Sequence, residues 1–106
     1  MSKRNKLSKF EDIMSYPNVY QNFSPKEIMP MGQGGKVVQL KGKWVEHFGD
    51  QKPITLELAC VRGEYTIQLA RDYTDRNFIG VDVKGARIWK GATMALSEGL
   101  DNVAFM

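Results

Sequence analysis

The sequence has one cysteine and one histidine among its 106 residues. A lone Cys60 can form neither an internal disulfide nor an all-cysteine metal site, so nothing calls for an oxidising compartment and the cytoplasm is the expected location. His47 has no second histidine and no cysteine near it in the chain. It reads as a solvent-facing or hydrogen-bonded side chain, and no metal site is expected. Long apolar runs are also missing. None approaches the roughly 18 residues that span a bilayer, and the polar opening MSKRNK lacks the hydrophobic core of a signal peptide, so no membrane anchor is expected. Internal repeats and low-complexity segments are absent as well.

What is present is the composition of a globular domain, with 42% apolar and 25% charged residues, which argues against disorder. The net charge of +3 conceals an asymmetry. Residues 1–43 carry eight basic and three acidic side chains, whereas residues 44–106 carry seven and nine. A basic front half on a mildly acidic body suits a polyanion-facing surface, because clustered Lys and Arg release counterions from a phosphate backbone. A solvated tail that aids solubility would give the same count.

Local patterning changes near residue 50. Leu7, Phe10, Ile13 and Met14 recur at helical spacing before Tyr16-Pro17, which predicts a short helix over about 7–15. Ser24-Pro25-Lys26-Glu27 fits a capping box with proline at the first helical position, and Pro30 limits that helix to little more than one turn. The cluster GQGGK at 32–36 fails as a Walker loop, which needs glycine at 30 and Ser or Thr at 37. The sequence has Pro30 and Val37, so a turn before a short extended VVQL is expected. Trp44 and Phe48, four apart, make KGKWVEHFG an amphipathic helix of two turns with its aromatic side on the body.

From Ile54 the alternation is regular: strand 54–58, helix 64–72, strand 77–81, helix 85–98 stopped by Gly99, and a third strand opened by VAFM at 103–106. Such alternation implies parallel pairing through right-handed crossovers, in the order 3-2-1. The fold class expected is α/β and Rossmann-like, about three parallel strands with flanking helices. Residues 1–50 are expected to form a basic extension of short helices, and 51–106 the N-terminal part of a cofactor-binding domain.

In such a fold, ligands settle at the carboxyl ends of the strands, where the loop after the first strand meets the next helix. That loop, Ala59-Cys60-Val61-Arg62-Gly63-Glu64, does not supply the G-x-G-x-x-G of a dinucleotide site. It does fit the looser E-x-G-x-G-x-G of S-adenosylmethionine enzymes, as Glu57-Leu58-Ala59-Cys60-Val61-Arg62-Gly63. Glu57 can reach a ligand ammonium directly or through water, and small residues let the loop backbone pass close to the ligand. Asp82 closes the second strand twenty-five residues later, where a carboxylate accepts from both ribose hydroxyls, a position that serves NAD equally. Each acid also has a plain structural account, a solvent-facing carboxylate for Glu57 and a helix N-cap for Asp82.

The blocks KLSKFEDIMSYPNVYQ, LKGKW, LELACxRGEY, NFIGVDVKGARIWKGA and EGLDNVAF, in this order, resemble the N-terminal half of bacterial tRNA (guanine-N7-)-methyltransferases over nearly the whole chain. The resemblance implies an enzyme that uses S-adenosylmethionine to methylate N7 of a guanosine in tRNA. It implies Glu57 and Asp82 as cofactor ligands, Ala59 and Gly63 as the residues that shape the loop, and tRNA as a partner held in part by the basic N-terminal segment. Guanine N7 carries a lone pair and no proton, so the implied chemistry asks for positioning rather than for acid or base.

Two departures from the family pattern set further expectations. A β-branched Val61 costs about 1 to 3 kcal/mol if φ is positive there, and its methyls narrow the space for a ligand, so weak cofactor binding is expected. Ala59 is the milder change. The chain also stops at Met106, ahead of the segments in which the family handles guanine and tRNA. No catalytic residue is therefore assigned, and a truncated half without transfer activity of its own is expected. With ITLEL exposed at the sheet edge, such a half should self-associate or pair with a complementing C-terminal fragment. The competing expectation is a non-catalytic RNA-binding or assembly module on a degenerate methyltransferase fold.

Overall fold

The computed structural model describes residues 5–22, 30–40 and 42–106, and the capping box read at 24–27 lies outside them. Strands Ile54–Leu58 (β1), Asn77–Val81 (β2) and Val103–Phe105 (β3) pair in parallel in the order β1-β2-β3, the arrangement expected from the alternation. Four helices accompany them among the described residues: Lys6–Met14 (α1), Trp44–Phe48 (α2), Glu64–Asp72 (α3) and Gly85–Glu98 (α4). Parallel neighbours need a crossover, and α3 and α4 supply the two. Helix α2 is shorter than its pattern predicts because Gly49 turns left-handed at φ 73°, and its N–H closes on the carbonyl of Val45. The glycine cluster forms a single 3₁₀ turn at Gln33–Gly35, followed by an isolated bridge between Met31 and Val37.

Every residue from Asn77 to Gly80 is buried, as a strand covered on both faces requires. Against it lie Ile67 and Ala70 of α3 and Ile88, Ala92 and Ala95 of α4, each on the apolar stripe of its helix. Two buried asparagines secure the turns. Asn102 Nδ2 donates to the carbonyls of Ala70, Tyr73 and Arg76 at 3.0, 3.2 and 3.1 Å, which closes the carboxyl end of α3. Asn77 Nδ2 donates to the Asp50 carboxylate at 2.7 Å and pins the entry to β1.

The N-terminal segment packs on α4 and β3. Asn5 caps α1 by accepting from Ser8 N–H at 2.8 Å. Trp89 Nε1–H donates to Asp12 at 2.9 Å, and the hydroxyls of Tyr16 and Thr93 share a hydrogen bond of 2.8 Å. Val19 then forms a parallel bridge with Phe105: Phe105 N–H donates to Asn18 O at 2.7 Å, and Tyr20 N–H donates to Phe105 O at 2.8 Å. The outer edge of β3 is thus covered. The outer edge of β1 is not paired by any described residue, and Leu56 and Leu58 are 58% and 71% exposed.

An unpaired apolar edge strand is a template for pairing with another chain. The 106-residue protein is expected to scatter light as a species larger than a monomer, and Leu58→Lys, which places a charge on that edge, is expected to reduce the association. A monodisperse parent monomer would show that the edge is silent.

His47 lies against Tyr20, Trp44 and Phe48, and its Nδ1 shares a hydrogen bond with the Tyr20 hydroxyl. Burial lowers its pKa from the ordinary imidazole value, so folding favours the neutral ring. The stability this contributes is complete above about pH 6.5, the unfolded value, and is lost as the pH falls below it. Melting temperature is expected to drop between pH 7.5 and 5.5, and His47→Phe is expected to flatten that interval.

Candidate functional site

β1 delivers its chain to a loop whose backbone alternates in hand. Ala59 and Val61 both have φ of 55° and Gly63 has φ of 75°, so three left-handed residues stand at alternate positions. These are the three places where the E-x-G-x-G-x-G pattern has glycine. The loop therefore keeps the conformation that glycine permits while two side chains oppose it. For Val61 the opposition is strong, since a β-branched residue in this region is an outlier costing about 1 to 3 kcal/mol.

Neighbouring groups hold the loop in that shape. Cys60 N–H donates to Val81 O at 2.9 Å, extending the β1–β2 ladder past Leu58, and Gly63 N–H donates to Cys60 O at 2.8 Å. Val61 N–H donates to Asp82 Oδ2 at 3.0 Å. A Cβ on Gly63 would lie 2.6 Å from the Phe105 ring, and one on Gly91 would lie 2.8 Å from Arg62 O, so both glycines let the loop seat directly on α4 and β3.

Asp82, one residue past β2, has its side chain only 2% exposed. Its other oxygen, Oδ1, accepts from Lys84 N–H at 2.9 Å and stands 3.8 Å from the Arg87 guanidinium. The carboxylate thus closes an Asx turn into α4 and latches the loop, whereas Lys84, not Asp82, is the N-cap residue. Glu57 is half-buried in β1 opposite Gly80, and no hydrogen bond or ion pair engages it among the described residues. Cys60 sits between the two acids. Its thiol is pushed up to about 11, first by burial and then by the negative charges of Asp82 and Glu57, so it stays protonated and is not a nucleophile. The four residues singled out in the sequence, Glu57, Ala59, Gly63 and Asp82, come together at the carboxyl ends of β1 and β2.

Two concavities flank this centre. One, of about 330 Å³, is bordered by Asp82, Val83 and Gly85 on one side and by Tyr20, Gln21 and Met106 on the other. The second, of about 820 Å³, is lined by Lys6 and Lys9 of α1, Arg62 of the loop, and Lys84, Arg87 and Lys90 at the start of α4. The sequence reading placed the basic surface in residues 1–43 and missed this cleft. Its signal was the spacing of three from Lys84 to Arg87 to Lys90, which sets these cations along one side of a helix.

No protein-family model matches the chain. Among curated proteins, it is 50% identical over 107 aligned residues to a tRNA (guanine-N(7)-)-methyltransferase of Christiangramia forsetii, an alignment covering 100% of this chain and 45% of that protein. It is 49% identical over 105 residues to the tRNA (guanine-N(7)-)-methyltransferases of Bacteroides thetaiotaomicron and Bacteroides fragilis, covering 97% of this chain and 39% of each relative. The chain belongs to the tRNA (guanine-N7-)-methyltransferase family. It spans less than half the length of these relatives.

Glycine at position 61 removes the strain at a cost of about 0.5 to 1 kcal/mol in backbone entropy. Val61→Gly is therefore expected to stabilise the chain by about 1 kcal/mol, read as a higher urea midpoint at unchanged slope. A lower midpoint would show that the valine side chain contributes more than its backbone costs.

Proposed function

We propose that the chain forms the cofactor-binding part of a tRNA (guanine-N7-)-methyltransferase, the activity stated in its relatives' names, and that its cofactor is S-adenosylmethionine. The observation that carries this reading is the loop: three left-handed residues in alternation, latched through Val61 N–H to the acid that follows β2. The residues fit the ligand. Glu57, half-buried and without a partner among the described residues, is a carboxylate that gains most from a ligand ammonium. Each Asp82 oxygen accepts one backbone bond and keeps a second lone pair, so the pair can receive ribose hydroxyls from the adjoining cavity. Val83, 95% exposed, offers an apolar surface to the base, and Ala59 and Gly63 keep the loop narrow.

When bound, S-adenosylmethionine supplies an electrophilic methyl on a sulfonium. The protein's part is orientation. Guanine N7 has no proton to lose, so no side chain acts as acid or base, and the rate comes from holding the reactants in line. In A-form RNA the N7 edge faces a deep, narrow groove, which makes an unstacked or loop nucleotide the suitable acceptor.

The test is calorimetric titration of S-adenosylhomocysteine into Val61→Gly and into Val61→Gly with Glu57→Gln. Losing a charge-assisted bond of about 1.5 to 3 kcal/mol should weaken binding at least tenfold while the melting temperature stays unchanged, since Glu57 holds no described residue in place. Equal affinities would remove Glu57 from the site, and no heat from either folded variant would sink the cofactor reading. A non-catalytic RNA-binding or assembly module is the second reading, favoured by the non-glycine residues Ala59 and Val61 at two of the three loop positions. It is distinguished by salt-dependent tRNA affinity in a chain that takes up no cofactor analogue.

A further inference from the structure

The cavity of about 330 Å³ is closed on the side away from Asp82 by Tyr20, Gln21 and Met106. Backbone bonds fix this wall from both directions. Tyr20 N–H donates to Phe105 O at 2.8 Å, Gln21 N–H donates to Met31 O at 3.0 Å, and Met31 N–H donates back to Gln21 O at 2.7 Å. The Tyr20 hydroxyl shares a hydrogen bond with His47 Nδ1, and its ring meets Trp44 edge-on with centroids 5.6 Å apart. The Gln21 side chain, by contrast, is half-buried, and its carboxamide makes no hydrogen bond among the described residues. It reaches toward the start of α4. A Cβ on Gly85 would stand 3.1 Å from Gln21 Oε1 and 3.2 Å from both Ile13 Cδ1 and Phe10 Cε1, so the bare first residue of the helix leaves the amide its room.

A carboxamide carries an acceptor and two donors on one planar end. It meets in register an edge where an exocyclic amine stands beside a ring nitrogen, which is how glutamine takes adenine through N6 and N7. No other polar group on this cavity offers the same pair. Lys6 and Lys84 only donate, the Tyr20 hydroxyl is engaged by His47, and Asn22 is exposed and already engaged. The volume of about 330 Å³ lies near the lower end of ligand pockets, which run from roughly 300 to 1,000 Å³, and suits a nucleoside. With Asp82 toward the ribose and Val83 against the face of the base, Gln21 is the group left for the base edge. A half-buried amide without a partner gains a hydrogen bond there and gives up none inside the protein.

We propose that Gln21 reads the base of the bound cofactor, its carboxamide pairing with the 6-amino group and the neighbouring ring nitrogen of adenine; that an adenosyl group occupies this cavity rests on the methyltransferase reading. The segment before β1 then supplies part of the nucleoside site, although the pattern after β1 and the acid after β2 are the only signals of such a site in the sequence. The bridge between Val19 and Phe105 sets the strap that carries Gln21 against β3.

The experiment is calorimetric titration of Val61→Gly, and of Val61→Gly with Gln21→Met, a substitution close in length that removes both polar groups. Each is titrated with S-adenosylhomocysteine, with its 6-deamino analogue, in which the purine carries hydrogen at C6, and with adenosine. Gln21→Met is expected to weaken S-adenosylhomocysteine and adenosine about tenfold, to weaken the deamino analogue by much less, and to leave the melting temperature unchanged. S-adenosylhomocysteine bound equally by both proteins would overturn the proposal and leave the methyltransferase reading standing. Equal losses for S-adenosylhomocysteine and the deamino analogue would mark a general effect on the strap and would also overturn it. Adenosine affinity that needs Gln21, in a chain that takes up no S-adenosylhomocysteine, supports base reading and counts against the methyltransferase reading. Binding of none of the three ligands by Val61→Gly would overturn both.

Discussion

The phenyl ring of Phe105 occupies the space that Cβ atoms on Gly63, Gly80 and Gly91 would need. Ring atoms lie 2.6 to 2.9 Å from those positions, and the ring is fully buried. The three glycines belong to the loop after β1, to β2 and to α4, so one side chain fixes the separation of three elements. Full burial of a phenylalanine stabilises by about 1.5 to 3 kcal/mol, but the geometric role is larger than that figure. A Cβ on Gly91 would also stand 2.8 Å from the carbonyl of Arg62, so the loop would have to rise off α4 to admit it. The strained backbone of the loop is thus clamped from below by packing and from the side by Asp82.

That clamp explains how Ala59 and Val61 are accommodated. A left-handed valine persists only where its surroundings determine the conformation more strongly than the residue opposes it. The hydrogen bond from Val61 N–H to a carboxylate with a 2% exposed side chain is one such determinant, and the seat of Gly63 on Phe105 is the other. The outcome is a site whose shape is fixed by the protein's own packing and hydrogen bonds. Glu57 is the member of the group left without a partner among the described residues, whereas Asp82 holds the loop through Val61 N–H.

Much of this was legible in the residues. The bounds of β1, α3, β2 and α4 fall where the periodicity places them, because each is a short run with a clear apolar face and a clear stop, such as Gly99 after α4. The loop was legible as a place, and the cost at Val61 was legible as a condition on φ that the backbone meets. The contacts between distant segments were not legible. Nothing in VAFM announces that its phenylalanine serves three glycines, and the turn made by Asp82 looks in sequence like an ordinary cap. Lys6 and Lys84 are far apart in the chain, so the cleft they share comes from the docking of α1 on α4, which no local pattern encodes.

The bridge between Val19 and Phe105 sets an order of events during synthesis. The two residues are 86 positions apart, and the hydrogen bonds on either side of the bridge are what hold residues 18–20 in line with the sheet. At about 5 to 20 residues per second, the ribosome spends roughly 4 to 17 s between making the first partner and the second. Throughout that interval residues 18–20 have no strand to join, and the side chains around them are presented to whatever else is nearby. Contacts of such separation are also the slow ones in folding. Residues 18–20 are therefore among the last to settle, and the basic cleft, which needs α1 in place on α4, is completed only then.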